Sequence, residues 1–328
     1  MKVLVTGGAG YIGSHTVHLL RERGHEVVVL DSMEFGQRAA IGDTPLVEGD
    51  TADEGMLQRL FAEYGTEAVI HFAAYKAAGE SMEQPERYFQ NNVCGTHSLL
   101  RAMQRSGVKY LVFSSTCAVY GTPDKLPVSE DNEVRPESPY GESKRMVEQM
   151  LKWFDICHGL RSASLRYFNA AGAAPDGSIG EDWRVTLNLV PLVMKAALGV
   201  IPAVRVFGTD YPTPDGTAIR DYIHVLDLAD AHIRALEYIV REDRSDIFNL
   251  GTGTGSSVQE VIDATRRVSG VDIPVEHAER RKGDPVAIYA DNTKAREVLG
   301  WQPQYGLEEI IQSAWNWHST HPNGYTEE

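Results

Sequence analysis

Residues 2 to 13 read KVLVTGGAGYIG, Lys2 to Gly13, and this stretch decides how the rest of the chain is understood. The run Val3-Leu4-Val5 predicts a short strand. Ile12, Val17, Leu19 and Leu20 put an apolar stripe on a helix that follows at once. Between strand and helix lie Gly7, Gly10 and Gly13. A turn this tight needs residues free to take φ > 0, and its backbone must come close to any ligand. The helix start then offers unpaired N–H groups and a partial positive charge to an anion. Strand, glycine turn and helix together predict a pyrophosphate site built around Gly7, Gly10, Tyr11, Ile12 and Gly13.

The spacing is G-x-x-G-x-x-G, not the G-x-G-x-x-G of the common dinucleotide fingerprint. A second strand, Glu26–Leu30, is followed by Asp31. A carboxylate there accepts hydrogen bonds from both adenosine ribose hydroxyls and repels a 2′-phosphate, which favours NAD over NADP. With that acid in place, TGGAGYIG resembles the opening of the extended short-chain dehydrogenase/reductases.

Up to residue 170, short strands alternate with longer helical patterns. The strands are Val3–Thr6, Glu26–Leu30, Leu46–Glu48, Ala68–Phe72, Tyr110–Ser115 and Ser162–Arg166. The helices include Tyr11–Arg23, Glu54–Tyr64, Pro85–Ser106 and Ser138–His158. This alternation implies a parallel sheet with helices on both faces, and right-handed crossovers make it a Rossmann-like, doubly wound α/β sheet. The strand ends that would face its crevice are Asp31, Asp50, Ala73-Ala74, Ser114-Ser115-Thr116 and Asn169. Beyond residue 170 the texture changes. A helix is expected over Trp183–Leu198, a surface loop over Tyr211–Gly216, and amphipathic helices over Leu226–Arg241, Val258–Val268 and Leu307–Trp317. The expected division is a dinucleotide-binding domain over 1–170, with a return segment near 221–250, and a smaller mixed α/β domain over 171–328.

At 328 residues the chain exceeds what one core usually holds. Its net charge of −15 argues against nucleic acid and means that any phosphate site must be made locally by arginines and helix starts. Three scattered cysteines, Cys94, Cys117 and Cys157, give no disulfide framework or zinc pattern. The sequence opens inside the first strand with no leader pattern, and no apolar run reaches membrane-spanning length. The expectation is a cytoplasmic protein with no metal: His15, His18 and His25 lack ligand spacing, and His224 reads as a core histidine.

The chemistry centres on Ser138-Pro139-Tyr140-Gly141-Glu142-Ser143-Lys144. Ser138 suits a helix N-cap and Pro139 the first helical position. The four-residue spacing puts Tyr140 and Lys144 on one helix face. A phenol ionises near pH 10, too high for a base at neutral pH; a neighbouring ammonium and a positive nicotinamide favour the phenolate. A third member is expected at the end of the Tyr110–Ser115 strand, where the Thr116 hydroxyl can bind a substrate oxygen and relay its proton to Tyr140.

At this point the chain resembles the UDP-glucose 4-epimerase (UDP-galactose 4-epimerase) family, from Thr6 to about Asp291. The matching blocks are TGGAGYIGSHT, HFAAYKAAGES, NNVCGT, FSSTCAVYG, SPYGESK, LRYFNAAGA, VFGTDYPTPDGTAIRDYIHVLDLADAH, NLGTGTGSSV and RRKGD. The resemblance implies that Asp31 holds the adenosine ribose and Asp50 the adenine region. It implies that Phe72, Ala73 and Ala74 line the dinucleotide and that Lys76 and Asn91 hydrogen-bond it. Lys144 would grip the nicotinamide ribose, with Tyr167 close by. On the substrate side Asn169 and Asn188 would hold phosphate and sugar oxygens, with Phe168, Leu189 and Tyr222 beside them. Phe207 would pack on uracil, Arg220 and Arg281 would neutralise the diphosphate, and Asp284 would take the uridine ribose. Departures from the family pattern are Thr116 for a frequent serine, Ala74 for a usual glycine, and the run before Asn188. Ile288 stands at the position thought to gate N-acetylated sugars.

The activity implied is reversible 4-epimerisation of a UDP-sugar through a transient 4-keto sugar, with tightly bound NAD and a homodimer formed through helices such as Pro85–Ser106 and Ser138–His158. UDP-glucose and UDP-galactose lead as substrates; UDP-xylose/UDP-arabinose and UDP-N-acetylhexosamines stay open. A dehydratase or decarboxylase would need an acid–base pair beside the strand-end hydroxyl, where this chain has Cys117-Ala118. A non-enzymatic NAD-binding regulator on the same fold would typically lack the tyrosine or lysine that are kept here.

Overall fold

The computed structural model describes residues 1–183, 186, 188–281 and 284–325. The strands in chain order are β1 (Lys2–Thr6), β2 (Glu26–Asp31), β3 (Leu46–Glu48), β4 (Ala68–His71), β5 (Tyr110–Ser114), β6 (Arg161–Tyr167), β7 (Asn169–Ala171), β8 (Val204–Phe207), β9 (Ile219–Arg220), β10 (Tyr222–His224), β11 (Asp246–Leu250), β12 (Ser256–Ser257), β13 (Val275–Ala278) and β14 (Ala287–Ile288). The helices are α1 (Tyr11–Glu22), α2 (Glu54–Tyr64), α3 (Ala78–Glu83), α4 (Pro85–Tyr88), α5 (Thr96–Ser106), α6 (Pro139–His158), α7 (Leu189–Ala197), α8 (Val225–Glu242), α9 (Val258–Ser269), α10 (Thr293–Leu299) and α11 (Leu307–Thr320).

Seven strands form one parallel sheet in the order β3-β2-β1-β4-β5-β6-β11. The period of two along a strand sends alternate side chains to opposite faces. Val3, Val5, Ile70 and Leu165 meet Val17 and Leu20 of α1 and Leu228, Leu236 and Ile239 of α8. Leu4, Val69 and Leu111 meet Leu57 and Phe61 of α2, Leu99 and Met103 of α5, and Val147 and Leu151 of α6. Strand order reverses between β1 and β4, and in such sheets ligands gather in the crevice outside the strand ends there.

The smaller domain packs α7, α9 and α11 on a core of Val190, Val193, Met194, Val261, Ile262, Ile310 and Ile311. Its strands are short: β8 pairs with β13, β7 with β10, and β9 lies between β12 and β14. Among the described residues, no helix is long and apolar enough to cross a membrane.

Several sequence expectations shift. Asp31 is the last residue of β2 rather than the residue after it. The region 221–250 supplies α8 and a seventh strand, β11, to the sheet layer. Pro85–Ser106 is not one regular helix: a π-helical segment, Phe89–Gly95, separates α4 from α5. Among the described residues, the helix expected over Trp183–Leu198 spans Leu189–Ala197. Asn188 is its N-cap, which puts Pro191 in the first turn, where a missing N–H leaves no hydrogen bond broken. Trp183 is instead buried and stacked on His318 of α11, 4.4 Å between ring centroids. Arg184, Val185 and Leu187 of the run before Asn188, and Lys282 and Gly283 of the RRKGD block, lie outside the described residues.

Candidate active site

The glycine turn is set by close backbone approach. Gly7 has φ +69°, and a Cβ there would lie 2.6 Å from the Ala73 nitrogen. A Cβ on Gly13 would lie 2.2 Å from the Gly7 carbonyl oxygen. Phe72 and Ala73 are tied down as well, both amides donating to the Thr6 carbonyl, at 2.9 and 3.1 Å. No side chain caps α1, whose N-cap is Gly10, so the first-turn N–H groups suit an anion. Asp31 accepts from the Ala9 amide (Oδ2, 2.9 Å) and the Met33 amide (Oδ1, 3.0 Å). Burial pushes its carboxyl up while those two donors pull it down. Each oxygen keeps a lone pair for a ribose hydroxyl. The turn, the uncapped helix start and the acid fit a dinucleotide.

The remaining residues expected on the cofactor side have varied surroundings. Asp50 is exposed and its Oδ1 accepts from the Ala52 amide at 2.8 Å. Asn91 Nδ2 donates to Asn92 Oδ1 at 3.0 Å. Lys76 Nζ lies 3.6 Å from Glu181 Oε1, reaching towards the second domain. Tyr11 Oη donates to the Gly172 carbonyl at 2.5 Å, so that hydroxyl is committed to the protein. Ala74 and Ile12 are half-buried.

The catalytic candidates converge where β5 and β6 end. Ser138 caps α6, accepting from the Gly141 amide at 3.2 Å, and Pro139 takes the first helical position. The Tyr140 amide donates to Ser81 Oγ at 3.2 Å, so α3 fixes the start of α6. Thr116 Oγ1 accepts from the Ala118 amide at 3.1 Å, and the Thr116 hydroxyl lies close enough to the Tyr140 phenol to favour its ionised form. Lys144 is buried, donates to the Ser114 carbonyl at 2.9 Å and lies over the Phe113 ring at 4.9 Å. Tyr167 Oη and Ser114 Oγ are 2.7 Å apart.

The electrostatics differ from the sequence expectation. Burial pushes the Tyr140 phenol up, repulsion from Tyr167 adds to this, and the nearby Thr116 hydroxyl opposes it. Burial likewise lowers Lys144 to about 7, with Glu148 pulling the other way. Tyr167 is pushed up to about 12, by burial first. The protein alone therefore does not make Tyr140 acidic, because desolvation of the phenolate dominates.

The substrate candidates come from separate pieces of chain. Arg220 and Asp284, expected at different parts of the ligand, form an ion pair with each other through Nη2 and Oδ1. Arg220 Nη1 also donates to the Ile219 carbonyl at 2.7 Å. The Arg281 guanidinium stacks 3.8 Å over the Phe207 ring. Asn169 Nδ2 donates to the Asp221 carbonyl at 3.2 Å. Asn188 is exposed, with Leu189 next to it as the first residue of α7. Phe168 and Tyr222 are buried, and Ile288 packs in one cluster with Phe168, Val119 and Tyr120. His224 is a satisfied core residue: its Nε2 pairs with Ser313 Oγ at 3.0 Å, and its Nδ1 accepts from the Leu226 amide at 3.1 Å.

Sequence reasoning missed Asp221, which is fully buried between Arg220 and Tyr222. Its carboxylate accepts from the Thr252 amide and hydroxyl (2.8 and 2.6 Å), the Gly253 amide (3.3 Å) and the Ala290 amide (3.0 Å). It thereby joins three loops at the edge of the site. The signal was its place inside the Arg-Asp-Tyr-Ile-His block. Asn92 was also missed: it bridges Tyr75 N, at 2.9 Å, to Ser143 Oγ, at 3.1 Å.

The family model described as "NAD dependent epimerase/dehydratase family" matches residues 3–251. The chain belongs to this family. Among family members, the UDP-glucose 4-epimerase of Streptococcus mutans is 51% identical over 329 aligned residues, covering 99% of each chain. A UDP-glucose 4-epimerase from Stenotrophomonas maltophila, crystallised with NAD and formylated UDP-arabinopyranose, superposes with a TM-score of 0.95 at 42% identity, covering 98% of this chain and 99% of the other. The enzyme from Bifidobacterium longum, in complex with NAD+ and UDP, gives 0.93 at 40% identity, covering 99% and 100%.

Proposed function

We propose that this epimerase-family chain interconverts the C4 epimers of a UDP-sugar, UDP-glucose and UDP-galactose first, with NAD held through the cycle. One observation carries the reading: the Thr116 hydroxyl and the Tyr140 phenol lie together at the end of β5, and Lys144 reaches the Ser114 carbonyl of the same strand end. NAD, when bound, supplies reversible oxidation and reduction at C4 and a positive ring beside the phenol. Thr116 would hold the sugar O4 and relay its proton to Tyr140, which returns it after the 4-keto sugar has turned over. Lys144 would orient the ribose of the dinucleotide. Arg220, Arg281, Phe207 and Asp284 would anchor the uridine diphosphate, so binding energy falls on the part that stays still and not on the sugar that must rotate. Residues 1–170 with the return segment near 221–250 are assigned to NAD, and the rest of 171–328 to the UDP-sugar.

UDP-pentoses form a second reading, favoured by the formylated UDP-arabinopyranose bound to the Stenotrophomonas relative. UDP-N-acetylhexosamines depend on the room beside Ile288. Purified protein is incubated with UDP-galactose, UDP-N-acetylgalactosamine and UDP-xylose without added cofactor, and the sugar products are separated. Conversion of UDP-galactose is expected; no conversion of any of the three would overturn the proposal.

A homodimer through α6 and its neighbours is part of the same proposal. Trp153 and Ile156 support it, large apolar side chains 60% and 62% exposed on α6. Light scattering should give twice the chain mass for the parent and the single mass for Trp153→Glu. Free thiols at Cys94, Cys117 and Cys157 fit a reducing, cytoplasmic setting.

A further inference from the structure

A buried polar network under the catalytic helix has no role in the chemistry described so far. Glu148 lies one turn beyond Lys144 on α6, and its carboxylate is almost completely enclosed. Arg166 of β6 grips it with two donors, Nε to Oε1 at 2.9 Å and Nη2 to Oε2 at 2.6 Å. Ser115 Oγ donates to Oε1 at 2.6 Å. The third nitrogen of the guanidinium donates to Tyr120 Oη at 2.8 Å, and Tyr120 Oη donates to Asn249 Oδ1 of β11 at 2.7 Å.

Enclosing a charge pair carries a desolvation cost for each ion, and apolar residues of similar volume often do as well or better for stability. What the pair supplies is direction, since a bidentate guanidinium–carboxylate contact admits one geometry. The Glu148 carboxylate is the point where three elements meet. It sits on α6, which carries Tyr140 and Lys144. It binds Arg166, next to Tyr167 on β6, and Ser115, next to Thr116 after β5. The Ser115 hydroxyl therefore faces the helix and not the crevice, which leaves the Thr116 hydroxyl as the one free to address the Tyr140 side.

We propose that Glu148 is a positioning residue for the epimerisation, which registers the catalytic helix against the strand ends so that Tyr140 and Thr116 address the same sugar oxygen. This rests on the roles given to Tyr140 and Thr116 above. Its legs are separable. Ser115→Ala removes only the tie between α6 and the Thr116 strand end and leaves the ion pair in place. Glu148→Gln weakens both ties.

The test measures kcat, KM for UDP-galactose, bound dinucleotide by absorbance and thermal melting for Ser115→Ala, Glu148→Gln and Tyr140→Phe. Misplacement of a reacting group by about 1 Å can lower a rate by about 100-fold. The expected result is a fall in kcat of roughly tenfold for Ser115→Ala and roughly 100-fold for Glu148→Gln. KM should stay within about twofold and the dinucleotide content should not change. Unchanged kcat in folded, dinucleotide-loaded Ser115→Ala and Glu148→Gln, with Tyr140→Phe inactive, would overturn the positioning role alone. A loss shared by kcat, KM and dinucleotide content would overturn it in favour of a structural role. Should Glu148→Gln not fold, Ser115→Ala decides. An active Tyr140→Phe would remove the reading beneath it.

Discussion

The sheet side and the outer side of this molecule are built on different plans. On the sheet side the groups proposed to face the ligand are strand ends of one parallel sheet, and the closest approaches are backbone to backbone, as at Gly7, Gly13 and Ala73. On the outer side they come from two-residue strands and loops, and each depends on a partner far along the chain: Arg220 on Asp284, Arg281 on Phe207, and the Asp221 carboxylate on Thr252 and Ala290. A group that must stay in place through many cycles suits a rigid backbone cradle. A ligand that enters, turns and leaves suits side chains that can exchange an internal partner for it. The Arg220–Asp284 pair is such an internal partner.

The comparison can be tested by substitutions on each side and at the junction. Tyr140→Phe acts at the junction and should have the largest effect, a loss of turnover of about 10²–10⁴-fold or more with both ligands still bound. Near-parental turnover would show that the two sides do not meet at this phenol. Gly13→Ala should act on the sheet side only. Its Cβ would collide with the Gly7 carbonyl, so dinucleotide should be lost on purification while calorimetry still detects UDP. Retention of a full complement of NAD would contradict the backbone cradle. Arg220→Ala should do the reverse, weakening UDP by roughly tenfold to 100-fold, in line with about 1.5–3 kcal/mol for a charged hydrogen bond, with NAD content unaltered. Calorimetry showing the parental UDP affinity would place the diphosphate elsewhere.

A smaller effect per group concerns acid. His71 is buried on the sheet side between Thr6 and Thr96 hydroxyls, and burial lowers it to about 3. His318 on the outer side is lowered to about 3 and His232 on α8 to about 4, also by burial. Between pH 6.5 and these values the unfolded chain binds protons that the folded chain refuses. Stability must therefore fall as pH falls through that window, by up to about 1.4 kcal/mol per pH unit for each histidine. Urea midpoints should decline from pH 7 to pH 5, and a flat midpoint would show that these rings are not kept neutral.

How much could be read from the chain alone varied with the range of the interaction. The start of α6 was legible because its cap, its proline and the Tyr140–Lys144 spacing lie within seven residues of sequence. The bounds of α2 and the core of the parallel sheet were legible for the same reason, since their apolar periods are local. The helix expected from Trp183 starts later, at Leu189, and tertiary stacking on His318 claims the Trp183 ring. Asp221 and the Glu148–Arg166 pair were not legible, because nothing within a turn or two of either residue reveals its partner.

From the sequence by itself followed the first six strands of the sheet and helices between them, the glycine turn, the acid at the end of β2 and the tyrosine–lysine pair. Each depends on torsion preferences and side-chain spacings that act over a few residues. Only the tertiary structure decided that Ser115 turns to Glu148, that Asp221 ties loops together, and that burial raises Tyr140 and lowers Lys144. The strength of a polar contact and the charge state of a group depend on how much water surrounds them, and that is set by the packing of segments distant in sequence.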